Sequence, residues 1–168
     1  NNKFLGGSEV LQLVDHKSIL FASVGYWEDA NNIWYGGSNR SIGWGQVNRL
    51  DNPSANWQED LFLGSSFLRP EILKQIIFTK DQFGNLLSSP DTVLICAGYS
   101  PNYITSQVMV KSFVRNDMNG TWGESQIVQG SFPAGENYSI RDIEIYIDQQ
   151  TGLEYVFASV GIQGIYKG

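Results

Sequence analysis

Apolar and polar residues alternate along most of this chain in short runs, and the runs are separated by clusters of Gly, Asn, Asp and Pro. A period of two is the mark of a half-buried β-strand, and the separating residues are those that turn a chain tightly. Two runs spell the same words. "KSILFASVGYWED", around Phe21-Ala22-Ser23-Val24-Gly25, returns near the other end as "LEYVFASVGIQG", around Phe157-Ala158-Ser159-Val160-Gly161. "TVLICAGYS" at 92–100 reads as a third copy, with Ala97 and Gly98 in the matching places and an aromatic after them. The copies lie roughly 60–75 residues apart, the upper end of what a four-stranded repeat with long loops occupies.

The match extends on both sides of each copy. Upstream stands a run ending in aspartate: "SEVLQLVD" to Asp15, "KQIIFTKD" to Asp81 and "RDIEIYID" to Asp148. Alternate residues in these runs (Val10, Gln12, Val14; Ile76, Phe78, Lys80; Ile143, Ile145, Ile147) are largely apolar, as a strand between two layers requires. Lys74 and Arg141 share one register near the start of their runs, where each reads as an exposed cation at the start of a strand. Downstream, a third strand is expected over 32–37, 106–114 and 164–168. A fourth, "WQEDLFLG" or "WGESQIVQG", follows a turn rich in Asn, Gly or Pro. A sandwich has no reason to repeat its own sequence. The expected fold is therefore all-β, a β-propeller portion of about two and a half four-stranded antiparallel blades. The blades are expected near 7–64, 68–130 and, in part, 137–168 of a single segment spanning 1–168.

Asp117-Met118-Asn119-Gly120-Thr121-Trp122 resembles the Asp-box of sialidase-like β-propellers, whose usual form is Ser-x-Asp-x-Gly-x-Thr-Trp; residues 51–57 are a looser version. The resemblance implies a structural role: Asp117 caps the turn between third and fourth strands, and Trp122 packs between blades. No catalytic role comes with it. The whole chain also resembles the N-terminal part of a group of bacterial and fungal propeller proteins. That likeness implies that remaining blades of the same protein, or further chains, complete the ring.

Composition narrows the partners. A length of 168 residues supports one domain with a core, and 42% hydrophobic with 13% aromatic residues is a globular composition. The net charge of −6 argues against nucleic acid and anionic membrane surfaces, which need a basic stripe. No apolar run reaches the length of a membrane span. The single cysteine, Cys96, lies in an apolar run and reads as a small buried hydrophobe; an intrachain disulfide is impossible. The single histidine, His16, reads as alone in a turn, so no transition-metal ligand set and no cofactor are expected. The chain opens at Asn1 without methionine, and is expected to be processed or a piece of a longer protein. Asn39, Asn119 and Asn137 fit the glycosylation triplet, a pattern common in Asn-rich sequences that is no evidence of secretion. The expected location is extracellular or secreted.

In a propeller, the connections from second to third strand and from fourth to the next first strand open on one face. Here those are segments 25–32, 98–105, 161–164, 63–71 and 129–139. They are rich in aromatics, amides and acids. Rings stack on sugar faces while carboxylates and amides bind hydroxyls. The expectation is a lectin-like module that binds carbohydrate or a partner protein. Trp27 and Tyr103 would be its stacking surfaces, and Asp29, Asn102 and Arg141 its hydrogen-bonding groups. The alternative is a sialidase-like glycoside hydrolase or lyase with catalytic residues partly outside this chain. Glu28 and Asp29 are not each other's catalytic partner, because neighbours on an extended strand point apart.

Overall fold

The computed structural model describes residues 7, 9–25, 45–64, 66–67, 69–102, 107–131 and 139–168, with the side chains of 101, 102 and 107 excepted. They form β1 (Glu9–His16), β2 (Ile19–Gly25), β3 (Gln46–Leu50), β4 (Gln58–Phe62), β5 (Ile72–Lys80), β6 (Leu86–Asn102), β7 (Gln107–Asn116), β8 (Thr121–Ser131), β9 (Ile140–Ile147), β10 (Glu154–Val160) and β11 (Gly164–Lys167). The protein is all-β. A single 3-10 turn at Gly161–Gln163 is the one helical element among the described residues, and none of their helices is long and apolar enough to cross a membrane.

The strands form three antiparallel sheets in which chain neighbours are spatial neighbours: β1-β2-β3-β4, β5-β6-β7-β8 and β9-β10-β11. The β1–β2 hairpin closes through Lys17 and Ser18, with φ of 51° and 65°. Positive φ at both central residues is the turn whose twist matches the strands it joins. The aspartates that directly follow β5 and β9 close their hairpins differently. Asp81 Oδ1 accepts the N–H of Phe83 and of Asn85, both at 2.9 Å, and Asp148 Oδ1 accepts that of Gln150 at 2.9 Å. A folded-back carboxylate of this kind reinforces the backbone bonds of the turn, here Gly84 N–H to the Asp81 carbonyl at 3.0 Å and Gly152 N–H to the Asp148 carbonyl at 2.7 Å.

Three details differ from the sequence expectation. The third strand of the first sheet is Gln46–Leu50, pairing with β2 from Leu20↔Leu50 to Val24↔Gln46; the expected 32–37 lies outside the described residues. A bulge between Val10 and Gln12 breaks the alternation of β1, leaving Val10 56% exposed. Third, the copies do not share one register. Leu94 and Cys96 cluster with Phe21 and Val47 of the preceding sheet, whereas Ile95 and Ala97 cluster with Ile143 and Ala158 of the following one. Phe21 and Phe157 face away from any preceding sheet, so Leu94 is displaced by one residue from its apparent match. A slip of one residue exchanges the two faces of a strand. Lys74 and Arg141 are likewise out of register: Lys74 stands opposite Ile95, while Ile143 stands opposite the matching Ala158.

Both faces of the middle sheet are covered. Phe21, Val47, Leu73, Leu94, Cys96 and Phe113 fill the first interface. Ile76, Ile95, Val110, Val128, Ile143 and Ala158 fill the second. The first strands of the sheets lie side by side. Gln12 reaches Glu71 and His16 reaches Gln75, so β1 and β5 run in the same direction. Lys74 is not a free cation; its Nζ donates to the Ile143 carbonyl at 2.9 Å and pairs with Asp142 at 3.2 Å and with Glu144. Glu154 accepts the N–H groups of Thr79 at 2.9 Å and of Lys80 at 3.1 Å, so the second interface is also bonded across its far end.

A polar cluster locks the first interface. The side chains of Asp60 and Arg115 are 3% and 4% exposed. Asp60 accepts Arg115 Nε at 2.8 Å, Arg115 Nη2 at 3.2 Å, Arg49 Nη1 at 3.3 Å and Trp122 Nε1 at 2.8 Å. The Arg115 guanidinium lies over the Phe21 ring, 5.1 Å from its centroid. Asp117 accepts Arg115 Nη1 at 2.8 Å and Lys17 Nζ at 2.7 Å, and bonds His16 Nε2 at 2.9 Å. Burial by itself would raise the Asp117 carboxyl. The hydrogen bonds from Lys17, His16 and Arg115 outweigh it and hold the pKa far below the usual carboxylate range.

Two substitutions test this account. Asp60→Ala leaves Arg115 buried without its principal partner and is expected to cost about 3–5 kcal/mol in urea unfolding; a loss below about 1 kcal/mol contradicts the lock. Ser18→Gly relieves a left-handed conformation in the β1–β2 turn and should stabilise by about 0.5–1 kcal/mol, read as a raised Tm.

Candidate functional site

The segment between β4 and β5 is laid across two glycines. A Cβ on Gly98 would stand 2.9 Å from the Arg69 carbonyl oxygen, and one on Gly45 would stand 3.1 Å from that of Phe67. Leu63 N–H donates to the Gly45 carbonyl at 2.9 Å, and Glu71 N–H to the Ala97 carbonyl at 2.8 Å. Phe67 and Pro70 are buried beneath the segment. The packing leaves Glu71 one fixed position, at the start of β5.

Around Glu71 the starts of three strands bring polar groups together. From β1, Gln12 Nε2 donates to the Glu71 carbonyl at 3.0 Å. Gln12 is itself held by Ser23 of β2: its N–H donates to Ser23 Oγ at 3.0 Å, and the Ser23 hydroxyl donates to Gln12 Oε1. From β9 and the residue before it come Arg141 and buried Ser139; Ser139 hydrogen-bonds the Glu71 carboxyl. Arg69 Nη2 pairs with Glu71 Oε1 at a long 3.5 Å. The Glu71 side chain is only 6% exposed, and its Oε2 is buried without a hydrogen-bond partner among the described residues.

Burial drives Glu71's pKa upward, against the opposing pull of Ser139, Arg69 and Arg141. Taking a carboxylate out of water penalises its charged form unless enough donors replace the water. Among the described residues the donors fall one short. A buried carboxyl with a raised pKa and a spare oxygen, beside exposed Arg141, is the combination that marks binding and catalytic positions. Two further buried oxygens, Glu9 Oε2 at the start of β1 and Asn48 Oδ1 in β3, also lack partners among the described residues.

The five residues that the sequence nominates for ligand binding are unevenly placed. Trp27, Asp29 and Tyr103 lie outside the described residues, as does the side chain of Asn102, whose backbone ends β6 opposite Gln107. Arg141 is exposed in β9 and within electrostatic reach of Glu71. Glu71, Ser139 and Gln12 do not stand out in the sequence as site residues. The available signal for Glu71 is a charged residue directly after Arg69-Pro70 at a strand entrance. His16 is not alone in a turn. It ends β1 at 1% exposure, with Nδ1 2.9 Å from Gln75 Oε1 and Nε2 2.9 Å from Asp117. Asp117 does not cap its own turn; Asn116 and Asn119 do so, accepting the N–H groups of Met118 and Thr121 at 3.0 Å each. Asp117 instead reaches the first sheet, because Arg115, Lys17 and His16 draw its carboxylate there. Cys96 is fully buried, with its thiol pKa pushed up by desolvation, and is inert packing. No group of three or more His, Cys, Asp or Glu among the described residues is arranged to hold a metal ion.

Glu71→Gln tests the strain at the site. The fold favours the protonated acid, so its contribution is complete below the ordinary glutamate pKa of about 4.3 and is lost as pH rises through Glu71's own, higher value. The neutral amide is expected to raise Tm at pH 7 and to remove the part of the wild-type pH dependence that lies between those two values. Unchanged Tm and an unchanged pH profile contradict a penalised carboxyl.

No family model, no curated protein and no solved structure matches this chain.

Proposed function

We propose that this chain is part of a β-propeller that binds a polar ligand of the carbohydrate class on the face where the first strands of its sheets begin. The observation that carries this reading is the buried Glu71 carboxyl, with an oxygen unpartnered among the described residues, beside Ser139 and Arg141 and with its backbone carbonyl held by Gln12 of β1. Three repeated antiparallel sheets, with first strands side by side, support the propeller. Ligands bind where loops are held on such a rigid scaffold. In this reading Trp27 and Tyr103 supply stacking surfaces, and Asp29, Asn102 and Arg141 supply hydrogen bonds. Further blades of the same protein, or further chains, complete the ring.

The second reading, a glycoside hydrolase or lyase, is favoured by one observation: burial raises Glu71's pKa, the property that a general acid requires. Its partner carboxylate would come from outside the described residues.

A glycan-array screen beside a reducing-sugar release assay separates the two. For the binding module, Trp27→Ala and Tyr103→Ala each weaken an established affinity by about 5- to 150-fold, the equivalent of 1–3 kcal/mol for a lost stacking platform, and no sugar is released. For the enzyme, Glu71→Gln abolishes release while binding survives. An affinity indifferent to Trp27, Tyr103 and Arg141 means that the ligand face is elsewhere.

A further inference from the structure

The turn between β7 and β8 carries chemistry that neither the interface lock nor the Glu71 site uses. Asn119-Gly120-Thr121 fits the glycosylation triplet, which alone says little. The structure adds three observations at this position. Asn119 and Thr121 are both exposed, and Met118 beside them is 97% exposed, at the tip of a hairpin. The Thr121 hydroxyl donates to Asn119 Oδ1 at 2.7 Å, and the Thr121 N–H donates to the same oxygen at 3.0 Å. Asn119 Nδ2 has no hydrogen-bond partner among the described residues. Two donors on the amide oxygen draw electron density from Nδ2 and acidify its N–H, the proton that must leave when this nitrogen is substituted. Threonine is stiff about χ1, so its hydroxyl stays at that oxygen.

The third observation is that this arrangement is local. Asn116 Oδ1 holds the Met118 N–H at 3.0 Å, and Gly120, with φ of 71°, donates its N–H to the Asn116 carbonyl at 2.8 Å. Such short-range bonds need only the β7–β8 hairpin, so the turn is complete before the sheets stack. The triplet at Asn137 is different. Its third residue, Ser139, is 4% exposed and its hydroxyl is committed to the Glu71 carboxyl. Asn39 lies outside the described residues. The β7–β8 turn is also remote from the candidate ligand face: Asp117 meets His16 at the end of β1, whereas Glu71 meets Gln12 nearer its start.

We infer that Asn119 is the acceptor of an N-linked oligosaccharide, transferred from a polyprenyl-diphosphate-linked donor. In the transfer Nδ2 forms a bond to the anomeric carbon of the first sugar, and the bond from that carbon to the diphosphate oxygen breaks. The lipid diphosphate leaves with the electron pair, and the Nδ2 proton passes to a base of the transferase. The glycan projects from the end of the sheets away from Glu71 and leaves that site clear. The inference rests on the turn alone, so a failure of the carbohydrate-binding reading leaves it intact.

The test is translation of the full chain behind a secretory leader into endoplasmic-reticulum microsomes, which hold both transferase and donor. The protease-protected chain is expected to gain one oligosaccharide at Asn119. Release by a peptide amidase in heavy-oxygen water leaves a labelled aspartate at that position, which mass spectrometry locates. Thr121→Ala keeps the N–H bond to Asn119, removes only the hydroxyl and loses the glycan; Thr121→Ser retains it. Asn119→Asp keeps the oxygen that caps the turn and loses the glycan, while Asn137→Gln leaves it in place. A protected chain with Asn119 bare, a glycan at Asn119 that survives Thr121→Ala, or a glycan found on Asn39 or Asn137 with none on Asn119 each overturns the inference.

Discussion

Asp60 lies between the first and middle sheets with its carboxylate almost wholly out of water, and donors from Arg115, Arg49 and Trp122 converge on it. Burying an ion pair removes two hydration shells, and the attraction between the ions seldom exceeds that cost by much. Its main effect is on geometry rather than on net stability. An apolar interface between two sheets tolerates sliding, because the hydrophobic effect has no direction. A guanidinium locked onto a carboxylate does not. Once Arg115 is seated over Phe21 and against Asp60, β8 has one position on β4. Asp117 and His16 then join β1 to the same frame. The position of Glu71 against Gln12 depends on that alignment, since both lie on the same pair of strands.

The two ends of the β1–β5 pair are therefore opposite in character. Around His16, Asp60 and Asp117, charged groups have several close partners. Around Glu71, one carboxyl oxygen has no partner among the described residues, and the Arg69 guanidinium stands at 3.5 Å from the other. A fold selected for stability alone would remove such a group, and the persistence of penalised polar groups is characteristic of positions kept for function. The contrast separates a structural cluster from a candidate site more sharply than residue type does, because both contain acids and arginines.

The second interface is built from the same repeat with different chemistry. Its core is aliphatic, and its polar bonds run along the rim, from Lys74 to β9 and from Glu154 to β5. Glu154 accepts two backbone N–H groups, whereas Lys74 donates to one backbone carbonyl and to the carboxylates of Asp142 and Glu144. The rim of this interface thus combines backbone bonds, which any side chain at the bonded position allows, with ion pairs that depend on particular residues.

Much of the architecture was legible in the sequence. Alternation, turn residues and the recurring FASVG segment suffice for antiparallel strands grouped in four, four and three, because strand periodicity and turn chemistry are local properties. The expected structural role for Trp122 was also within reach of pattern. Register was not: Leu94 reads as the match of Phe21, yet a displacement of one residue puts it on the other face, and only packing against a neighbouring sheet decides which face is buried. The strand beside β2, Gln46–Leu50, was not singled out by pattern either, because a short half-polar run shows itself as a strand only when a partner edge accepts it. His16 looked solitary because its partners, Gln75 and Asp117, lie 59 and 101 residues away. Glu71 was one acid among many. Its burial, its raised pKa and its unpaired oxygen arise from Gly98, Gln12, Ser139 and Arg141, residues from separate parts of the chain that meet only when the sheets stack. Local sequence thus determined the elements, and long-range packing alone decided their faces and the environment of each charge.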